Sequence, residues 1–104
     1  MLRNKNGSTF VPVPHQPTTA NKCEYVFLTG YAAYPSGVTL GAFLFEDEAA
    51  FHEQRPCNSL TLGTFDVSIK DEDIYGAMHK VGTEFFPDFE VCSPPQRPKE
   101  EDAS

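Results

Sequence analysis

Residues Cys23–Gly30, CEYVFLTG, are β-branched and aromatic, and they are apolar on both parities: Tyr25 and Phe27 share one, Val26 and Leu28 the other. A strand with that pattern belongs in the middle of a sheet covered on both sides. The second stretch, Val38–Phe45, puts Val38, Leu40, Ala42 and Leu44 on one face and Phe43 and Phe45 on the other, with Thr39 and Gly41. Pro35, Ser36 and Gly37 supply turn chemistry between the two, so a hairpin is expected. A third strand is expected over Asn58–Ser68, NSLTLGTFDVS. Its phase changes within the run: Leu60 and Leu62 share one parity, Phe65 and Val67 the other. A bulge at Gly63 would return both pairs to one face.

Two stretches read as helices. One runs from about Asp47 to Gln54, with Asp47 as cap, Glu48 in the first turn and Pro56 as terminator. The other follows Ser68 and Asp71, which resemble a capping box. There Ile74, Ala77, Met78, Val81 and Phe85 recur at helical spacing, and Pro87 ends the run. Gly76 and Gly82 lower its intrinsic propensity. Phe89–Cys92 completes the set as a short strand.

The expected fold is therefore one small α+β domain, β-β-α-β-α-β, with a mostly antiparallel or mixed sheet of about four strands and two helices packed on it. Residues 22–93 form its globular part. Residues 1–21 contain Pro12, Pro14 and Pro17 and read as a flexible arm. Residues 94–104 combine proline and charge without apolar mass and read as a disordered acidic tail.

The chain of 104 residues carries a formal net charge of −7, with 15 acids against 8 basic residues. All of the acids lie from Glu24 onward. Such a balance disfavours binding to the nucleic-acid backbone or to an anionic membrane, since both require a basic surface. It favours a basic protein partner. Cys23, Cys57 and Cys92 are odd in number and widely spaced, so they read as free, buried thiols in a reducing, cytoplasmic setting. The N-terminus has no apolar run of the kind a signal peptide needs.

No nucleotide, metal or catalytic motif stands out, and no metal or cofactor is expected. Glu46, Asp47, Glu48 and Glu53 cluster at a helix start, a position that attracts acids for the dipole alone. His52, Cys57 and His79 lack paired zinc-ligand spacing. His79 falls one residue off the apolar stripe, at the surface or the boundary of the second helix.

Three functional classes follow. The first is a non-enzymatic, acidic protein–protein interaction module: an inhibitor, an immunity protein or a phage-type anti-defence protein acting on a basic, nucleic-acid-binding partner. That likeness is one of size and charge only. Its expected contact residues are Tyr31, Tyr34, Glu46, Asp47, Glu48, Glu53, Asp71, Glu72 and Asp73, because tyrosines suit interfaces and carboxylates suit a basic partner. The second class is a small enzyme or ligand-binding domain using Cys57, His52, Glu46 and His79. The third is a structural or oligomeric subunit, including a homodimer built on the apolar strands.

Overall fold

The computed structural model describes residues 1–32, 37–65 and 74–95. Its elements, in chain order, are β1 (Leu2–Asn4), β2 (Thr9–Val13), β3 (Gln16–Cys23), β4 (Tyr25–Ala32), β5 (Val38–Phe45), α1 (Glu48–His52), β6 (Asn58–Phe65), α2 (Ile74–Phe85) and β7 (Phe89–Val91). Five strands form one sheet in the order β6-β5-β4-β1-β7, and β2 and β3 form a separate two-stranded ribbon. Every pairing is antiparallel. The α+β class stands, but the described residues form seven strands, where about four were expected from the sequence.

The strongest sequence signals have direct counterparts. β4 and β5 pair from Tyr25↔Phe45 to Ala32↔Val38, and β4 is the middle strand of five. Val26, Leu28, Val38, Leu40, Ala42 and Leu44 are buried together on one face. On β6 the register shifts opposite Leu40/Gly41, and Gly63 takes φ +141°, a region that glycine reaches without a Cβ penalty. The extra residue brings Leu60, Leu62 and Phe65 to the same core. α2 closes that face with Met78, Val81 and Phe85. A Cβ at Gly82 would lie 2.6 Å from a Leu28 methyl and 3.1 Å from one of Leu2, so glycine sets how closely the helix approaches the sheet.

The N-terminal residues correct the sequence reading. Where a flexible arm was expected over 1–21, the chain forms β1, β2 and most of β3. Leu2 is fully buried, and β1 bridges β4 and β7. Pro12 and Pro17 are accommodated because a two-stranded ribbon is all edge, where a missing N–H need not break a ladder. Pro14 sets up the turn, and His15 completes it at φ 65°. The His15 ring is held there by the Leu62 carbonyl, 2.8 Å away, and by an edge contact with Phe85.

Asn4 fastens the ribbon to the sheet. It is 1 % exposed. Its Nδ2 donates to Thr9 Oγ1 at 2.9 Å and to the Cys23 carbonyl at 3.0 Å. Its Oδ1 accepts from the Asn6 N–H at 2.9 Å. One short side chain thus ties β1 to the first residue of β2 and the last of β3. A buried amide is tolerated only when its donors and acceptor are matched in this way.

The proposed capping box at Ser68 and Asp71, and the expected tail from residue 96 on, lie outside the described residues.

Candidate functional site

The second face of the sheet is largely open, a departure from the expectation that the Cys23–Gly30 strand is covered on both sides. β4 presents Tyr25, Phe27 and Thr29. β5 presents Phe45, Phe43, Gly41 and Thr39. β6 presents Ser59, Thr61 and Thr64. In register, Phe27 faces Phe43 and Phe43 faces Ser59, while Gly41 stands between Thr29 and Thr61. Thr39 and Thr64 share a hydrogen bond between hydroxyls 2.9 Å apart. Phe27 is 40 % and Phe43 37 % exposed.

The short helix α1 covers only one end of this face. The Asp47 carboxylate caps it by accepting from the Ala50 N–H at 2.8 Å, the role its position suggested. The helix gives way at Glu53, followed by Gln54 at φ 57°. Phe51 packs edge-on against Phe45, with ring centres 5.3 Å apart, and approaches Tyr25 and Phe27 at 6.3 and 6.5 Å. Ala50, Tyr25, Phe45 and Met1 complete a small second core, with Cys92 against it.

Because α1 is so short, a cleft opens beside it. The cleft has a volume of about 440 Å³ and is lined by Phe27, Phe45, Phe51, His52, Gln54 and Pro95. Further along the sheet a smaller depression of about 320 Å³ lies over Gly41, lined among others by Thr29, Phe43, Ser59 and Thr61.

Of the acids expected to form a contact surface, Glu46, Asp47, Glu48 and Glu53 come together at this end of the face. Asp47 is committed to the helix cap. Glu48 lies 3.8 Å from His52 Nε2, and Glu53 pairs with Arg55. Glu46 and Glu48 project into solvent. Tyr31 sits near the far end of β4, and Tyr34, Asp71, Glu72 and Asp73 lie outside the described residues.

Of Cys57, His52, Glu46 and His79, Glu46 lies near enough to Cys57 to act on its thiol. His52 alone of the four lines the cleft. His79 Nε2 is 2.6 Å from the Met1 α-amino nitrogen. The Cys57 thiol donates to the Leu44 carbonyl at 3.4 Å and is exposed, which corrects the expectation of uniformly buried cysteines. Burial pushes the Cys57 thiol up, and the Glu46 carboxylate adds to the shift, so its thiolate is disfavoured. Cys23 is buried. Its thiol is pushed up to about 12, first by burial and then by the nearby Cys57. Cys92 is half-buried and its thiol is also raised by burial. Among the described residues no group of three or more His, Cys, Asp or Glu is placed to hold a metal ion, and no helix is long and apolar enough to cross a membrane.

Sequence reasoning placed Phe43 and Phe45 on one face but did not single out Phe27, Phe43 and Phe51 as a site. The available signal was the mixture on that face of β5, where Thr39 and Gly41 are followed by two phenylalanines. No family model, curated protein or solved structure matches the chain.

Proposed function

We propose that the protein is a protein–protein interaction module that docks a basic partner at the cleft between α1 and the open sheet face. The observation that supports this reading is the juxtaposition of Phe27, Phe45 and Phe51 in one cleft with the exposed carboxylates of Glu48, on α1, and Glu53, at its C-cap. An apolar cleft takes up a large side chain of a partner, and carboxylates at its rim favour Lys or Arg beside that anchor. Glu48 reaches to 3.8 Å from the cleft-lining His52, and Glu53 lies between His52 and Gln54 in the chain, which supports placing both acids beside the cleft. A module of this kind suits an inhibitor or immunity-type role on a basic, nucleic-acid-binding protein, where the acidic chain competes with the polyanion.

Selection from a random peptide library displayed on phage tests the reading. The expected enriched sequences carry an aromatic or aliphatic anchor flanked by Lys or Arg. Their affinity falls at least about tenfold with Phe27→Ser and several-fold on raising the salt. Enrichment of acidic peptides, or binding indifferent to Phe27→Ser, would count against it.

A further inference from the structure

We infer that β6 is a self-pairing edge, where a second copy of this chain adds strand to strand and continues the five-stranded sheet across a two-fold axis. An open strand edge is a template for another strand, and proteins blunt such edges with short length, charge, proline or bulges. The two edges of this sheet are treated differently. β7 is three residues long and carries Glu90. β6 is eight residues long, NSLTLGTF, with neither charge nor proline.

The backbone shows which groups β6 offers. Phe45 O accepts from Glu24 N, on the side of β4, while Leu44 O accepts from Cys57 N, on the side of β6. Backbone groups alternate along a strand, so Leu44 and Ala42 bond across to their β6 partners Asn58 and Leu60. The N–H and C=O groups of Ser59 and Thr61 then point to the open edge. The bulge at Leu62–Gly63 ends this stretch, and His15 closes the edge there by holding the Leu62 carbonyl.

A second β6 fits that short edge by symmetry. Antiparallel pairing centred on Leu60 sets Ser59 against Thr61 of the second copy, and Thr61 against Ser59. Each pair exchanges backbone bonds and brings two hydroxyls side by side, as Thr39 and Thr64 already do within one chain. Leu60, half-buried in the monomer, meets its own copy.

Charge selects the same occupant. The chain carries a net charge of −7, so two copies repel unless they meet where neither has a carboxylate. β4, β5 and β6, eight residues each, contain no charged residue at all. A basic partner gains nothing from an edge without acids, whereas a second copy meets a surface as neutral as its own.

Sedimentation equilibrium of the full chain from micromolar to millimolar concentration, with hydrogen exchange of the Ser59 and Thr61 amides, tests the inference. The expected result is a dimer that tightens as salt rises, because screening removes the repulsion between copies. Ser59 and Thr61 amides become protected as the dimer fills. Thr61→Glu sets like charges near the two-fold axis and weakens the dimer at least about tenfold. Ser59→Pro removes an outward donor without breaking a bond to β5, and does the same. Far-ultraviolet circular dichroism and the melting temperature confirm that each variant is folded. A monomer throughout the concentration range overturns the inference. A dimer that survives both variants but is lost with Phe27→Ser also overturns it, by assigning association to the sheet face. Loss of peptide binding at the cleft leaves this inference untouched, since Phe27 has no part in the β6 edge.

Discussion

Phe27 on β4 and Phe43 on β5 stand directly opposite one another, both more than a third exposed, on the face that among the described residues only the short helix α1 approaches. Their partner Phe45, two residues along β5, is buried under Phe51. The same face therefore holds aromatic residues in two different situations. Phe27→Ser is expected to cost about 1–2 kcal/mol, less than a fully buried phenylalanine would, since two-fifths of the residue is already exposed. Phe45→Ala is expected to cost about 3–5 kcal/mol. Urea titration of both variants separates the two. Equal losses would mean that Phe27 is held by packing and is not a surface for a partner.

Asn4 gives a second expectation. Replacing it by Leu keeps the γ-branched shape but leaves the Cys23 carbonyl and the Asn6 N–H without the partners seen here. The loss should be at least about 2 kcal/mol, because buried groups stripped of partners pay their desolvation in full. Thermal unfolding measures it. Faster exchange of the β2 and β3 amides should accompany the loss, as Asn4 joins those strands to the sheet.

Gly82 sets two effects against each other. Alanine raises helix propensity by up to about 1 kcal/mol. Its methyl would also lie 2.6 Å from a buried Leu28 methyl, well inside contact distance. Overpacking costs about 1–3 kcal/mol, so Gly82→Ala is expected to be neutral to destabilising. Combining it with Leu28→Ala should recover part of the loss expected from adding the two single changes. Strict additivity in denaturant titrations would show that the two positions do not touch.

Cys23 links burial to alkaline stability. Its ordinary pKa is 9.0 and its folded value about 12, so the unfolded chain releases the proton first. The folded state then binds more protons between those values. Stability from this group is complete below pH 9 and is lost as the pH rises toward 12. The fall in stability from pH 8.5 to pH 10 should be shallower in Cys23→Ala than in the parent. In the native protein at neutral pH a maleimide should modify exposed Cys57 first and Cys23 last. Early labelling of Cys23 would contradict the packing described.

Much of this fold is legible in the sequence where side-chain pattern alone decides it. The division of Val38–Phe45 into two faces, the cap at Asp47 and the bulge near Gly63 all follow from local pattern. The N-terminal strands are not legible in that way. β3 buries only Cys23, so no alternation marks it, and its ribbon is held by Val11, Val13, the Asn4 amide and the His15 ring. Those contacts join residues far apart along the chain. The cleft is hidden for a related reason: two apolar faces on β4 suggest cover on both sides, and only the length of α1 decides that one side stays open. The acids around α1 could be read from the sequence, while the apolar half of the site depends on which helix reaches how far.

The central claim is that the cleft beside Phe27 engages a basic protein. Its most direct measurement is a quantitative mass-spectrometric comparison of proteins retained from native lysate by the parent chain and by Phe27→Ser, each at low and high salt. The expected result is a basic protein that is enriched on the parent, depleted on Phe27→Ser and weakened by salt. Identical retained proteins on both chains, or a retained partner that is acidic and unaffected by salt, would contradict it.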